Sequence, residues 1–277
     1  MSELRVFAVE DMPEVREGDK VGALIAARTE LADGDIVVIS QKIVSKAEGR
    51  LRRLAEVEPS DRALDLEKKL GKEAPLVELI LSESREVLRA ERGVLITETH
   101  HGLVCANAGI DASNLPDDNT VCLLPSDPDA SARLIRRELE TAMEQSGMGV
   151  PLSRHSTSSH RRDVSGAGHP HPRPPIAVLI ADSFGRAWRL GQAEVAIGCA
   201  GLAPLDDWRG RQDASGRPLE GTVIAIADEA AAAADLVRDK ASGVPAAVVR
   251  GLGHHVGAED GPGAAALRRP REEDLFR

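Results

Sequence analysis

The feature that most constrains the fold of this chain is a short apolar run followed directly by a polar segment with two lysines. Residues 36–39 (IVVI) are all apolar and β-branched, which is typical of a strand buried on both faces. The residues that follow include six polar side chains: Ser40, Gln41, Lys42, Ser45, Lys46 and Glu48. A rigid strand that ends in two lysines and several hydrogen-bonding groups predicts an opening that holds an anion. For either lysine alone, a solvated surface charge is the competing interpretation.

Strand and helix patterns alternate along most of the chain. Apolar runs predict strands at 5–9, 36–39, 94–97, 121–124, 176–181, 222–227 and 245–249. Helical spacing predicts helices at 20–31, 61–71, 75–91, 127–145 and 228–242, with Asp19 and Asp228 as N-caps of the first and the last. This alternation predicts an α+β fold, that is, a mixed α/β architecture with a mixed sheet.

Composition excludes several classes of partner. The 277 residues include three Phe, two Trp and no Tyr, so the chain lacks the aromatic side chains on which single-stranded nucleic acid stacks. A formal net charge of −10 also argues against a general nucleic-acid binder. No apolar run is long enough to span a bilayer and the N-terminus has no signal pattern. The sequence therefore predicts a cytoplasmic protein without a nucleic-acid or membrane partner.

Two segments differ from the rest of the chain. Residues 151–175 contain four His, four Arg and one acidic residue, and they carry too few apolar side chains to order themselves. We predict a basic inserted loop there, with a His-rich metal tract as the alternative. Residues 256–277 are charged and rich in Gly and Pro, which predicts a frayed tail after a single module at 1–255.

Two aspartates lie where a metal or a nucleotide could bind. Asp182 and Ser183 follow an apolar strand directly, and Asp111 follows a turn-rich segment. Carboxylate and hydroxyl oxygens form the hard site that Mg²⁺ or Mn²⁺ prefers, although a turn or cap role is the common alternative for a single Asp. Arg186 could grip a carboxylate or phosphate, or pack on Trp188. The usual phosphate-loop and dinucleotide-binding signatures are missing from the sequence.

Four long blocks of sequence resemble one known family. The blocks are SQKIVSKAEGR, THHGLVCANAGIDASN, IADSFGRAWRLGQAEVAIGCAGLAPLDDWRGRQD and ADLVRDKASGVPAAVVRGL. In this order they resemble the coenzyme F420-0:L-glutamate ligases, the F420 γ-glutamyl ligases. The resemblance runs from about Val6 to Leu252 and is broken mainly by the insertion at 151–175.

The resemblance implies an activity and an assembly. It implies GTP-dependent addition of L-glutamate to the lactyl carboxylate of coenzyme F420-0 through an acyl phosphate, with further γ-linked additions as an option. GTP, L-glutamate and F420-0 would be the partners. The family fold has two interleaved lobes and forms an intertwined homodimer. Two divalent cations, Mg²⁺ or Mn²⁺, would assist, with K⁺ as a further candidate.

The resemblance also implies roles for individual residues. Metal binding falls on Asp111, Asp182 and Ser183. Catalytic charge neutralisation falls on Lys46 and Arg186. GTP binding falls on Asp11, Met12, Pro13, Glu14, Ser40, Gln41, Lys42, Lys46, Asn114, Lys240, Ser242, Gly243 and Val244.

The sequence departs from the family pattern at three places. Lys240 stands where many members of the family carry a Gln near the second metal. DMPE at 11–14 replaces a more usual Gly-Leu-Pro beginning, and the basic insertion is foreign to the core pattern. Two alternatives therefore stay open: a ligase of the same fold for another carboxylate acceptor, and a nucleotide-binding regulator without catalysis.

Overall fold

A five-stranded mixed sheet forms the centre of the structure, a computed structural model that describes residues 3–113, 115, 117–145 and 175–275. In sheet order its strands are β1 (Arg5–Ala8), β12 (Ala246–Arg250), β2 (Ile36–Ser40), β8 (Ala177–Arg186) and β9 (Arg189–Ala200), numbered by position in the chain. Strands β2 and β8 run parallel, and the other neighbours are antiparallel. The predicted mixed α/β architecture with a mixed sheet is confirmed.

Helices cover both faces of this sheet. Because successive side chains of a strand point to opposite faces, the apolar run of β2 contributes to two cores. Val37 and Ile39 pack towards α1 (Val21–Ala26) and α5 (Pro128–Gln145). Ile36 and Val38 pack towards α6 (Ile226–Asp235), whose buried residues on this face are alanines. The predicted helix at 127–145 is confirmed within one residue.

A separate hydrophobic cluster lies among the remaining elements of the first half of the chain. Helices α3 (Asp61–Leu70) and α4 (Ala74–Ser82) pack with a three-stranded sheet through Ala63, Leu70, Val77, Ile80 and Leu95. That sheet contains β4 (Ser84–Glu91), β5 (Val94–Thr99) and β6 (Val104–Ala106).

The remaining elements are short. Helix α2 (Gln41–Ala47) follows β2 directly. Strand β3 (Leu51–Arg53) pairs with β7 (Thr120–Cys122), and strand β10 (Asp206–Asp207) pairs with β11 (Val223–Ile224). Short 3₁₀ turns occur at Leu54–Glu56, Asn107–Gly109, Gly253–His255, Ala264–Leu267 and Arg271–Glu273.

The helix predicted at 75–91 is wrong in its second half. Helix α4 ends at Ser82, and β4 begins at Ser84. Arg92 and Gly93 both have positive φ, and they form the two-residue turn that joins β4 to β5. Two consecutive positive φ values suit the twist of a tight hairpin, so the turn favours strand pairing over a longer helix.

Two other helices differ from the prediction at their ends. Helix α1 ends at Ala26 rather than at 31, and Asp19 does not cap it, because its carboxylate accepts the backbone N–H of Arg16 at 2.8 Å. Helix α6 begins at Ile226 and ends at Asp235, so the strand predicted at 222–227 shortens to β11. Asp228 lies in the first turn of α6, and its Oδ1 accepts the backbone N–H of Ala196 at 2.9 Å, which links α6 to β9.

Part of the segment that we predicted to be frayed, residues 257–265, bonds to α5. Arg136 of α5 is buried and donates to the carboxylate of Asp260 at 3.0 Å and to the carbonyl of Gly257 at 2.8 Å. The carboxylate of Asp129 accepts the backbone N–H of Ala264 at 2.7 Å. Arg136 and Asp129 of α5 thus hold this part of the C-terminal segment in place. The predicted loop at 151–175 lies, except for its last residue, outside the described residues.

Within the described part of the chain, no helix combines the length and the apolar character that crossing a bilayer requires.

Candidate functional site

A cavity of about 360 Å³, called the main cavity below, opens at the end of β2. Four parts of the chain line it: the segment 12–15, the junction of β2 with α2, the facing strands β8 and β9, and the segment 235–245. Asp111 and Ser113 complete the wall. The structure thus brings together residues that lie far apart in the sequence.

Most of the predicted site residues line the main cavity. These are Met12, Pro13, Glu14, Ser40, Gln41, Lys42, Lys46, Asp111, Asp182, Ser183, Lys240, Gly243 and Val244. Asp11 and Ser242 neighbour lining residues in the chain but are not part of the lining. Asn114 lies outside the described residues.

Arg186 lies apart from the main cavity. It ends β8, next to the tight turn that leads to β9, and its side chain is exposed. The guanidinium donates to the carbonyl of Leu190 at 2.8 Å, so it closes its own hairpin. The catalytic role implied for Arg186 stays a prediction.

Helix α2 places two lysines on the same wall of the cavity, because residues four apart lie on one helix face. The Nζ atom of Lys42 lies 2.8 Å from Oδ2 of Asp111 and 2.6 Å from the carbonyl oxygen of Ser113. The Nζ atom of Lys46 lies 2.5 Å from Oε1 of Glu14. Both lysines are largely buried, whereas the Glu14 side chain is exposed. Lys46 is therefore held at the cavity by a carboxylate that lies at the surface.

Strands β8 and β9 form the opposite, acidic wall. Their antiparallel register places Ser183 opposite Glu194, and the Ser183 hydroxyl donates to Oε1 of Glu194 at 2.7 Å. Arg238, also buried, donates to Oε2 of Glu194 at 3.0 Å. Lys240 donates to the Ser183 hydroxyl at 2.6 Å. Glu194 thus has a hydrogen-bond partner for each of its carboxylate oxygens.

Asp182 and Asp111 have opposite pKa shifts. Burial, followed by the nearby charges of Glu194 and Asp111, raises the pKa of Asp182 to about 7, against the lowering effects of the Ser183 N–H and Lys240. Burial also raises the pKa of Asp111, but hydrogen bonds from Lys42 and Ser113 outweigh it and the net pKa is lowered. Asp182 is therefore a buried acid with no ion-pair partner among the described residues, and Asp111 is a carboxylate paired with Lys42.

The acidic wall fits a divalent cation in its chemistry. Asp182 and Ser183 supply hard oxygen ligands, and no ion pair within the described residues includes Asp182. Asp111 is already paired with Lys42. The described residues contain no ready group of three or more His, Cys, Asp or Glu side chains for a metal. Such a site suits Mg²⁺ or Mn²⁺ that takes its remaining ligands from water and from a bound phosphate.

Glu194 and Asp235 are lining residues that the sequence analysis missed. Glu194 is an acidic residue in the otherwise small and apolar run 193–200 (AEVAIGCA), and it is buried. Once β9 is known to pair with β8, that pattern identifies Glu194 as a buried partner of Ser183. Strand β9 itself was not predicted, so the signal was not used.

A second cavity, of about 290 Å³, lies near the start of α5 and includes His100, His101 and Arg268. The Nε2 atom of His101 lies 3.1 Å from the carbonyl oxygen of Ser126. Asp127 and Asp129 at the start of α5 bond to backbone N–H groups. Because these acidic groups counter the helix dipole, this cavity does not resemble a phosphate site.

Comparison with known proteins gives one consistent result. A family model described as F420-0:Gamma-glutamyl ligase matches residues 10–150 and 173–251. The chain is 42% identical over 280 residues to the coenzyme F420:L-glutamate ligase of Methanothermobacter thermautotrophicus, covering 99% of both chains. It is 39% identical to a relative of the same name from Archaeoglobus fulgidus, over 99% of this chain and 96% of that one. It is also 39% identical to one from Methanopyrus kandleri, over 100% of both chains.

Proposed function

The chain belongs to the F420-0:gamma-glutamyl ligase family, and we propose that it joins L-glutamate to the carboxylate of coenzyme F420-0 in a reaction driven by GTP. Relatives that match almost its whole length are named coenzyme F420:L-glutamate ligases, which supports the two substrates. One observation supports the use of a nucleotide. Two largely buried lysines, Lys42 and Lys46, and the buried carboxyl group of Asp182 line the main cavity together.

An unactivated carboxylate does not form an amide readily, so the reaction needs a leaving group. In the proposed first step a carboxylate oxygen of F420-0 attacks the γ-phosphorus of GTP, the bond to the β-phosphate oxygen breaks, and GDP leaves. In the second step the glutamate amine attacks the acyl carbon, the acyl C–O bond breaks, and phosphate leaves. The amine loses its proton to solvent. GTP is the only co-reactant that these steps require.

Every reactant in this scheme is an anion, so the protein contributes alignment and charge neutralisation. Lys46 is the residue best placed for the transferred phosphate, because its ammonium is held inside the cavity by Glu14, whose side chain is exposed. Lys42 holds Asp111 in place on the same wall. Residues 241 and 243–245, which also line the cavity, would contact the nucleotide through their backbone and small side chains.

We assign the divalent cation to the acidic wall, at Asp182 and Ser183. Such an ion would neutralise phosphate oxygens as charge develops on them. Asp111 lies near enough to Asp182 to influence its pKa, and it would orient the ion or its water ligands. A second ion and a monovalent K⁺ remain part of the proposal.

The assembly and the extent of reaction are also proposals. We propose that residues 1–255 act as one ligase module with two interleaved lobes and that two copies form a homodimer. Trp188 and Leu190, at the tip of the β8–β9 hairpin, are 82% and 98% exposed, which supports a contact there with a second copy. Repeated γ-linked addition of glutamate would use the carboxylate of the first product as the next acceptor.

An omission experiment tests this function. The protein is incubated with GTP, Mn²⁺, L-glutamate and F420-0, and GDP release is compared with mixtures that lack one component. Ligation predicts GDP release that needs both glutamate and F420-0. GDP release with another carboxylate in place of F420-0 would favour a different acceptor. GTP binding without turnover in the complete mixture would favour a regulator.

A further inference from the structure

Lys240 is the exposed cation of the acidic wall. Its Nζ atom lies 2.6 Å from the Ser183 hydroxyl, 3.5 Å from Oε1 of Glu194 and 3.8 Å from Oδ1 of Asp235. Its side chain is nevertheless 69% exposed, because it reaches the wall from the segment after α6. The ammonium group thus touches the hydroxyl that we assign to the divalent cation.

The acidic wall does not need Lys240 to keep its shape. Glu194 also pairs with Arg238, whose side chain is only 4% exposed and whose position is fixed by burial. An exposed lysine on a flexible stem contributes little net stability through its ion pairs. The contacts of Lys240 are therefore readily broken, whereas the pair of Arg238 with Glu194 is a permanent part of the wall.

A divalent cation and the Lys240 ammonium compete for the same wall. A cation bound to Asp182 and Ser183 would lie beside a like charge that already donates to the Ser183 hydroxyl. Repulsion at this range is significant even where solvent screens part of it. The cation must therefore push the ammonium away from the wall.

We infer that Lys240 is a resident counter-ion of the acidic wall, which weakens binding of a free divalent cation and makes that binding depend on a phosphate-bearing ligand in the main cavity. In the empty cavity, an ammonium group displaced from the acidic wall can form hydrogen bonds only with water. With a polyphosphate in the main cavity, which Lys240 lines, the displaced ammonium can form a charge-assisted hydrogen bond with a phosphate oxygen. The dependence on phosphate rests on the proposed use of GTP, and the competition with the cation does not.

Linkage gives this inference a measurable form. If the phosphate ligand raises the affinity for the cation, the cation raises the affinity for the ligand by the same factor. Removal of the Lys240 charge should strengthen cation binding in the empty cavity and reduce that coupling factor. A purely structural role for Lys240 would produce neither change.

Titration with Mn²⁺ alone, followed by electron paramagnetic resonance on the full chain, tests the competition. We expect Lys240→Met and Lys240→Gln to bind Mn²⁺ roughly tenfold more tightly than the parent, since each removes one nearby positive charge. Lys240→Arg keeps the charge and should not bind more tightly. Lys69→Met, which removes an exposed lysine from α3, should match the parent and serves as the control. Affinities of Lys240→Met and Lys240→Gln equal to or weaker than that of the parent would overturn the inference.

The same titration with a non-hydrolysable GTP analogue tests the coupling. The parent should gain more Mn²⁺ affinity from the analogue than Lys240→Met does. An equal gain in both proteins would overturn the coupling. If the analogue does not bind at all, the proposed function fails, but the titration with Mn²⁺ alone still decides whether Lys240 competes with the cation.

Discussion

The ammonium of Lys42 lies 2.8 Å from Oδ2 of Asp111, and this ion pair joins α2 to the loop that precedes β7. The same ammonium donates to the carbonyl and the hydroxyl of Ser113. Burial raises the pKa of Asp111, but these hydrogen bonds outweigh it, so the pKa of this carboxyl group is lowered overall. The contacts therefore keep the carboxylate ionised. The pair fixes one side of the main cavity before any ligand binds.

A double-mutant cycle with Lys42→Met and Asp111→Asn should show strong coupling between these residues. We expect an interaction of about 1–2 kcal/mol in the free energy of urea unfolding, because both groups are partly buried and in direct contact. The matched control is the exposed pair of Lys68 and Asp65 on α3, which should couple by less than about 0.5 kcal/mol. Equal coupling in the two cycles would show that the Lys42–Asp111 contact is not formed in solution.

Asp182→Asn should abolish ligation without lowering the free energy of unfolding. The change removes a buried carboxylate that lacks an ion-pair partner among the described residues, so the free energy of unfolding at neutral pH should not fall. Ligation should be lost, because an amide is a poor ligand for a divalent cation. Calorimetry and GDP release measure the two effects. Turnover close to that of the parent would exclude Asp182 as a metal ligand.

Lys46→Met should slow ligation by about 10²–10³-fold, the usual cost of removing one electrostatic contact to a developing charge. Lys46→Arg should restore part of the rate, because it keeps the positive charge at the cavity wall. The rate is measured as product formed at saturating GTP, with Lys69→Met as the control that should not change. A Lys46→Met variant with the parental rate would show that Lys46 has no catalytic role.

Arg136→Ala should destabilise the protein by about 3–5 kcal/mol. The guanidinium is only 3% exposed, and it pairs with Glu140 at 3.1 Å and with Asp260 at 3.0 Å. Its loss uncouples the C-terminal segment from α5 and deprives Glu140 of this buried partner. Urea unfolding gives the free energy of unfolding, and Arg137→Ala, an exposed neighbour, should cost less than about 1 kcal/mol. Similar losses in both variants would contradict the packed C-terminal segment.

Leu190→Asp should dissociate the proposed homodimer into monomers. The residue is 98% exposed at the tip of the β8–β9 hairpin, so the change should not disturb the fold of one chain. A charge in a hydrophobic contact would weaken association of two copies. Light scattering after size exclusion measures the mass, and Leu134→Asp on an exposed part of α5 is the control. A dimer that persists in Leu190→Asp would place the contact elsewhere.

Local sequence signals predicted the elements that depend on local chemistry. The apolar run of β2 identified that strand, because a strand buried on both faces is apolar throughout. The helical spacing of apolar residues identified α5, because that helix is buried on one face. The predicted helix at 75–91 failed because SREVLRAE is compatible with either period, and the turn at Arg92 and Gly93 decides the outcome. Strand β9 was missed because its pairing with β8 is a tertiary contact.

The site was predictable only in part. The sequence pointed to Lys42, Lys46, Asp111 and Asp182, and the structure brings all four to the main cavity. It could not show that Glu194 faces Ser183 across two strands or that Arg238 is buried against Glu194, because both contacts depend on the register of the sheet and the path of the chain after α6. Arg186 looked equivalent to the lysines in sequence, yet it closes a hairpin outside the cavity lining.

The most direct measurement uses F420-0 whose carboxylate carries a heavy oxygen isotope. The protein, GTP, Mn²⁺ and L-glutamate are added, and mass spectrometry follows both the coenzyme and the released phosphate. Ligation through an acyl phosphate predicts that one labelled oxygen moves to phosphate. The coenzyme should gain the mass of one glutamate residue and lose that one labelled oxygen. A glutamylated product with unlabelled phosphate would contradict the acyl-phosphate route, and hydrolysis of GTP without a glutamylated product would contradict ligation itself.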